Sequence, residues 1–262
     1  MKQKYNCSKC KITMTDMELN GQPFCENCIL ERTTKNFNKI LSRGLDTKGR
    51  FGKASDYLNI MVAYSDSLAS KCCSKLLENY LHNRPQVGKI VLCNVGDNSD
   101  GSLKNSNFPL IYKSLIIEGT HSKDSYAEIY NLKRTETLYD TAIDENCNIL
   151  LFCHDTEHLA SHLLTQVVLG NANGIENFEI FEIKTVKEMP LKIIYPLQEC
   201  TQQELINYAA INNISYEQHE YPKDDFASLT KSFLFLQQKE KASTCSIITK
   251  TIAKVKTTHN TE

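Results

Sequence analysis

The chain has 262 residues, enough for one large α/β domain or for such a domain with a small appended module. Apolar residues make up 41% of the chain and charged residues 23%, a balance that excludes a disordered protein. Thirty basic and thirty-one acidic side chains give a net charge of −1, so any contact with nucleic acid must come from a local patch.

The chain is expected to be neither secreted nor membrane-spanning. No apolar run approaches the roughly 20 residues of a membrane helix, and no apolar signal segment follows Met1–Tyr5. Of the eleven cysteines, four fall in two tight pairs and the others scatter through apolar segments. This pattern favours reduced thiols and a cytoplasmic protein.

Two C-x-x-C pairs stand near the N-terminus, Cys7 with Cys10 and Cys25 with Cys28. The fourteen residues between the pairs are enough for a hairpin that turns at Asn20 and Gly21. Four thiolates that converge in this way are typical of structural Zn²⁺, which takes tetrahedral sulfur at about 2.3 Å and leaves no open position for substrate. An iron–sulfur cluster and a redox C-x-x-C are the alternatives.

Basic residues accumulate after the second pair, between Leu30 and Asp56. Apolar residues at roughly helical spacing predict an amphipathic helix that leads out of the ribbon and ends near Arg43 and Gly44. A phosphate-binding face and an ordinary solvated helix are both compatible with this pattern. The candidate RNA-binding residues are Lys35, Lys39, Arg43, Arg50 and Lys53.

The remaining chain alternates strand-length apolar runs with helical stretches, which predicts βαβ units and a parallel sheet. The predicted strands are Tyr57–Tyr64, Lys89–Val95, Ser114–Glu118, Asn148–Cys153, Phe178–Ile183 and Lys192–Tyr195. The predicted helices are Ala69–His82, Asp124–Glu145, Thr156–Leu169 and Thr201–Asn212. We therefore divide the chain into a zinc ribbon (1–30), a basic helix and linker (31–56) and an α/β domain (57–262).

The turn after the first predicted strand is the expected ligand site of an open α/β sheet. Its sequence, from Ser65 to Ser70, resembles the S-G-G-x-D-S pyrophosphate loop of the N-type ATP pyrophosphatases. The two serines match, but Asp66 and Ser67 replace the glycines and Ala69 replaces the acidic residue. Glycines let backbone amides approach phosphate, and a carboxylate would oppose it by roughly 1 to 4 kcal/mol, so we expect poor ATP binding.

The chain as a whole resembles the cytoplasmic tRNA 2-thiolation protein 2 family. The order of ribbon, basic linker and loop-bearing strand is similar, and so is the run from Asn148 to Leu164, with a strand, a short loop and an "LA-x-x-LL" helix. Tyr195-Pro196-Leu197, followed by Glu204 and Tyr208, is similar to the family's "PLR-E…E…Y" segment.

The resemblance implies a Rossmann-like parallel sheet of the adenine nucleotide α-hydrolase type with an N-terminal zinc ribbon. It also implies a heterodimer with the catalytic tRNA 2-thiolation protein 1, which thiolates the wobble uridine U34 of the tRNAs for Lys, Glu and Gln. Sulfur would reach that partner on a ubiquitin-like carrier. This chain would support the catalytic subunit and help to bind tRNA.

Two departures indicate a non-catalytic subunit. Catalytic members carry a cysteine ahead of a basic pair in a "C-x-x-x-R-R"-like stretch, whereas Tyr126–Arg134 keeps only Lys133-Arg134. The phosphate loop is degenerate as well. Two alternatives remain: a divergent but active ATP-dependent sulfurtransferase, and a ribbon-based interaction module without RNA contact.

His154-Asp155-Thr156-Glu157-His158 matches the H-x-x-E-H motif of inverted zinc peptidases, and His162 extends the same face. Because the motif directly follows a strand, a turn or cap at His154 and a solvated or partner-facing histidine stripe are favoured instead. The carboxyl end, from Lys239 to Lys256, is rich in lysine and could line a phosphate backbone or form an exposed last element.

Overall fold

The computed structural model describes residues 5–45, 58–82, 87–96, 108–115, 123–170, 181–216, 226–241 and 243–259. Its strands are β1 Tyr5–Asn6, β2 Met14–Thr15, β3 Glu18–Leu19, β4 Gln22–Pro23, β5 Leu58–Ala63, β6 Val87–Gly96, β7 Leu110–Ser114, β8 Ile149–Phe152, β9 Phe181–Val186 and β10 Met189–Ile194. Its helices are α1 Glu26–Leu45, α2 Leu68–Leu81, α3 Lys123–Asp144, α4 Thr156–Val168, α5 Gln202–Ile211, α6 Phe226–Glu240 and α7 Thr244–His259. None of the helices in these ranges combines the length and apolar character of a membrane span.

Six strands form the main sheet in the order β7-β6-β5-β8-β10-β9. All neighbours are parallel except β9, which runs antiparallel to β10 at one edge. The chain adds β6 and β7 on one side of β5 and later adds β8 and β10 on the other side. The carboxyl ends of β5 and β8 therefore flank the crevice at which open α/β sheets bind ligands.

Two predicted strands differ from the observed ones, both at sheet edges. The strand Ser114–Glu118 was predicted because of the apolar run at Ile116 and Ile117. The observed strand, β7, pairs with β6 through the less apolar Leu110–Ser114. Residues 116–122 lie outside the described ranges. The predicted Phe178–Ile183 is observed as β9, which a two-residue turn at Lys187 and Glu188 joins to β10, both at positive φ without glycine.

Apolar side chains alternate between the two faces of the sheet, because successive strand residues point to opposite sides. Along β5, Ile60 and Val62 face the core formed with α1, α2 and α5, while Met61 and Ala63 face α3. Both cores are buried, which explains why the central strands read as continuous apolar runs.

Helix α1 connects the cysteine-rich segment to the sheet and crosses β10 closely. A Cβ on Gly44 would lie 2.5 Å from Ile194 Cδ1, so any larger residue at this crossing would displace the Ile194 side chain. The helix was predicted to end near Arg43 and Gly44, and α1 extends to Leu45, the last described residue of this range. Glu204 and Tyr208 of α5 are fully buried beneath α1 and α2.

Candidate metal centre and degenerate phosphate loop

The four N-terminal cysteines are presented by two different local structures. Cys7 and Cys10 lie in the turn between β1 and β2, where Cys7 N donates to Thr13 O (2.9 Å) and Lys11 N to Cys7 O (2.8 Å). Cys25 stands at the start of α1, since its carbonyl accepts from Ile29 N (3.0 Å). The first pair therefore sits in a turn and the second at a helix N-terminus, whose dipole stabilises thiolates.

The hairpin between the two pairs turns where the sequence predicts it. Leu19 pairs with Gln22 across the two-residue turn of Asn20 and Gly21, both at positive φ. Asn207 Nδ2 of α5 donates to Glu18 O at 2.9 Å, which attaches this hairpin to the body of the protein.

The four sulfur atoms lie within 4.8 Å of one another, and Cys10 Sγ and Cys25 Sγ are 3.8 Å apart. A single tetrahedral ion with bonds of about 2.3 Å separates its sulfurs by about 3.8 Å. A four-iron cluster places an iron between its centre and each thiolate, which requires a wider set of sulfurs. The distance between Cys10 Sγ and Cys25 Sγ equals this single-ion separation. In the part of the chain that the structure describes, these four cysteines are the one set of His, Cys, Asp or Glu side chains close enough together to hold a metal ion.

The thiols of this cluster differ in acidity. Burial opposes ionisation of Cys7, yet backbone hydrogen bonds, chiefly at Cys25, outweigh it and lower the pKa of the Cys7 thiol to about 6. Burial raises the pKa of the Cys28 thiol to about 12. A bound cation deprotonates all its thiol ligands, so metal binding here releases protons and depends on pH.

The loop that resembles a pyrophosphate site is closed on itself. Ser65 Oγ lies 2.9 Å from Ser67 Oγ and 3.1 Å from Ser70 Oγ, and Ser67 Oγ lies 3.2 Å from Ser70 Oγ. Ser67 is also the N-cap of α2 and accepts from Ser70 N. No residue from Ser65 to Ser70 has positive φ. The hydroxyls satisfy one another, and the backbone keeps a form that needs no glycine.

Asp66, which was predicted to repel polyphosphate, forms an ion pair with Lys71 at 2.8 Å. The pair removes much of the expected charge repulsion, because Lys71 lies on the first turn of α2 beside the carboxylate. Lys71 follows the loop motif directly and is not part of it. The larger obstacle to phosphate is therefore steric, since two Cβ atoms stand where the pyrophosphatase loop has glycine.

The seven cysteines of the α/β body are buried, and burial makes five of them poor nucleophiles. Burial raises the thiol pKa to about 11 or 12 in Cys72, Cys93, Cys147 and Cys245. Burial also raises the pKa of Cys200 well above its ordinary value. Sulfur transfer needs a thiolate, so these thiols are inert at neutral pH.

The histidine motif does not form a peptidase site. Glu157 turns away from the histidines and accepts from Gln202 N (2.9 Å) and Gln238 Nε2 (3.0 Å). His154 and His158 stack with ring centroids 4.1 Å apart, and burial lowers the pKa of His158 to about 3. His154 lies in the short segment between β8 and α4, where a turn or cap was predicted, and its neighbour Asp155 is the N-cap of α4. Of the predicted stripe, His162 is exposed and the other two histidines are half-buried.

Lys35, Lys39 and Arg43 lie on the exposed face of α1, where an RNA contact was predicted. Lys39 Nζ donates to both carboxylate oxygens of Glu199, at 2.8 and 2.7 Å. Nothing in the sequence indicates this pairing of residues so far apart in the chain. The other two candidates, Arg50 and Lys53, fall outside the described residues.

No family model and no curated protein matches the chain. Among solved structures, the U34-tRNA thiolase NcsA from Methanococcus maripaludis with its 4Fe-4S cluster aligns with a TM-score of 0.72 at 15% identity, over 95% of this chain and 86% of that chain. The NH3-dependent NAD synthetase from Campylobacter jejuni gives 0.43 at 12% identity, over 89% and 96%. Phosphoadenylyl-sulfate reductase from Candida auris gives 0.39 at 11%, over 74% and 89%.

The chain shares the fold of a U34-tRNA thiolase. The predicted fold class, a Rossmann-like, mostly parallel α/β sheet behind an N-terminal cysteine ribbon, is confirmed. The division of the chain into domains at residues 30 and 56 stays a prediction. Helix α1 spans the first boundary, since it begins at Glu26 and contains Cys28, the fourth cysteine of the ribbon.

Proposed function

We propose that this chain is the non-catalytic subunit of a cytoplasmic heterodimer that 2-thiolates U34 in the tRNAs for Lys, Glu and Gln. The observation that carries the proposal is a fold shared with a U34-tRNA thiolase over 95% of the chain, combined with a phosphate loop closed by its own serines. The resemblance of the sequence to the tRNA 2-thiolation protein 2 family supports the same assignment.

Two local features support the role of a non-catalytic subunit. The loop from Ser65 to Ser70 offers phosphate neither glycine amides nor free hydroxyls. The thiols of Cys93 and Cys147 stay protonated at neutral pH. Adenylation of U34 and sulfur transfer from a ubiquitin-like carrier would therefore take place on the partner subunit, the tRNA 2-thiolation protein 1.

The cysteine ribbon would hold one structural Zn²⁺ through Cys7, Cys10, Cys25 and Cys28. The compact sulfur spacing supports a single ion over an iron–sulfur cluster. With four protein ligands, the ion leaves no site for substrate, and its contribution is to the fold. By fixing Cys25 and Cys28 it would also fix the start of α1 and the direction of its basic face.

The exposed face of α1 would take part in tRNA binding through Lys35 and Arg43. Lys39 contributes less free charge than predicted, because Glu199 already accepts its ammonium group. Local patches of this kind bind the RNA backbone mainly through charge, so the affinity for tRNA should fall steeply with salt.

The test is mass spectrometry of nucleosides from the tRNA of cells depleted of this protein. We expect 2-thiouridine derivatives to fall and to return on expression of the wild-type chain. Thiolation that is unchanged after depletion would refute the proposal and leave the ribbon as a protein-interaction module. ATP turnover by the isolated chain, abolished by Ser65→Ala, would instead show a divergent active enzyme.

A further inference from the structure

A small cavity lies where the end of α1, the segment after β10 and the start of α7 meet. Its volume is about 190 Å³. It is lined by Ile40, Arg43, Phe181, Gln198, Glu199, Ser246, Thr249 and Lys250. The fold thus brings together two basic segments, the α1 linker and the carboxyl-terminal helix, that stand at opposite ends of the sequence.

The free charge at this cavity is positive. Arg43 and Lys250 are both exposed, and neither has an acidic partner among the described residues. Glu199 is the acidic residue of the lining, and its carboxylate accepts two hydrogen bonds from Lys39. That ion pair leaves two cations to attract an anion.

Polar donors accompany the two cations. Gln198 Nε2 is buried without a hydrogen-bond partner, which is a costly state for an amide unless a ligand satisfies it. Ser246 stands in the first turn of α7, where the helix dipole favours negative charge. The Thr249 hydroxyl already donates to Cys245 O at 2.9 Å, so it offers no donor.

The size of the cavity restricts the ligand. Sites for whole small molecules usually enclose about 300 to 1,000 Å³, so about 190 Å³ fits a phosphate group and not a nucleotide. The remainder of the ligand must lie outside. A separate open groove of about 640 Å³ lies along α1, lined by Glu31, Lys35 and Lys39 among others.

We infer that this cavity binds one backbone phosphate of the tRNA, held between Arg43 and Lys250 with Gln198 and Ser246 as donors. The inference rests on the proposed function, which supplies tRNA as the nucleic acid. It adds a specific anchoring point at the carboxyl-terminal helix, where the sequence offered only a lysine-rich run.

The test compares the full chain, purified with its partner, in two double variants. Arg43→Ala/Lys250→Ala removes the two cations at the cavity. Lys89→Ala/Lys187→Ala removes two exposed, ion-paired lysines at the opposite, amino end of the sheet and serves as a control for the general loss of surface lysine. Binding of an unmodified tRNA for Lys is measured by fluorescence anisotropy across a salt series, and thermal melting checks that each variant is folded.

We expect Arg43→Ala/Lys250→Ala to weaken tRNA binding about tenfold or more and to lower the slope of log affinity against log salt by about one, the loss of a single phosphate contact. The control should keep the wild-type slope. A wild-type slope in the cavity variant would overturn the inference. A slope lower by about two would also overturn it, because the cations would then contact separate phosphates.

Inorganic phosphate and AMP, added as competitors, separate the possible sources of the phosphate. Neither should displace tRNA from the wild type more readily than from the cavity variant. If phosphate binds the wild-type cavity while tRNA affinity is equal in both proteins, the cavity takes a free phosphate and the inference is wrong. Failure of the proposed function is a different result, in which the wild-type complex itself does not bind tRNA; the inference then falls with it.

Discussion

The cysteine ribbon and the serine loop each bring several potential ligand atoms together, but the two sets differ in whether those atoms bond to one another. In the ribbon, four sulfur atoms converge within 4.8 Å and point at one another across a space that fits an ion. In the loop, the hydroxyls of Ser65, Ser67 and Ser70 also converge, but at 2.9 to 3.2 Å they bond to each other.

The difference lies in what each set of atoms can do without a ligand. Thiols make weak hydrogen bonds, so a converged set of cysteines gains most of its stability when a cation is bound. Hydroxyls are both donors and acceptors, so a converged set of serines is already satisfied. A loop that holds no ligand can therefore keep its serines and do without glycine.

The largest expected effect is loss of the metal. Cys7→Ser/Cys10→Ser should abolish metal binding and unfold the ribbon, because structural zinc sites have apparent binding free energies of about 10 to 16 kcal/mol. Elemental analysis of the wild type should give one zinc per chain. Cys147→Ser, which removes a buried thiol elsewhere, should keep the zinc. Iron and inorganic sulfide in the wild type would contradict the single-ion geometry.

The next effect tests how firmly the ribbon helix is attached to the body. Glu204 is buried beneath α1, where Asn36 Nδ2 donates to its carboxyl at 3.4 Å and Arg32 Nε lies at the same distance. Glu204→Ala should lower the free energy of unfolding by about 2 kcal/mol, because it leaves a cavity and unsatisfied donors. Urea unfolding is the measurement. Glu204→Gln keeps the shape and an acceptor and should cost clearly less; equal losses would contradict this reason.

A pH effect follows from Glu157, the carboxylate of the rejected peptidase motif. Burial raises its pKa from 4.5 to about 7 in the folded protein. The folded state then holds a proton that the unfolded state has lost, so stability falls as pH rises from about 4.5 to about 7. Glu157→Gln should flatten this part of the stability curve. Urea unfolding at both ends of the range measures it, and an unchanged slope would show that Glu157 is not responsible.

The smallest effect concerns the loop. Ser67→Ala removes the N-cap of α2 and should cost about 1 kcal/mol of stability, as loss of such caps usually does. It should leave tRNA thiolation intact, since the loop has no ligand to hold in this account. Thermal melting and nucleoside analysis of the same variant separate the two effects. A normal melting curve with lost thiolation would give the loop a function.

Much of this architecture could be predicted because local patterns determine it. The central strands are buried on both faces and read as apolar runs, and the Asn20-Gly21 pair determines the ribbon hairpin. The edge strand β7 was misplaced because an edge has little core to bury, so a neighbouring apolar run gave the stronger signal. The turn at Lys187-Glu188 was missed because it adopts positive φ without glycine.

Some parts of the candidate site could likewise be predicted from the sequence, and others could not. Cysteine spacing is local, so the four sulfur atoms could be predicted to meet. The pairing of Lys39 with Glu199 and the shared cavity of Arg43 and Lys250 join residues that only the tertiary fold brings together. Spacing along the chain carries no trace of these contacts.

The central claim of the proposal is that the chain combines the fold of a U34-tRNA thiolase with a metal-holding cysteine ribbon and has no nucleotide chemistry of its own. The most direct measurement is rescue of 2-thiouridine in depleted cells by Ser65→Ala/Ser70→Ala, which leaves the Ser67 cap in place, beside Cys7→Ser/Cys10→Ser. At matched protein levels, the account predicts full rescue by the serine variant and none by the cysteine variant. Failure of the serine variant to restore 2-thiouridine would contradict the account and show that the loop still works.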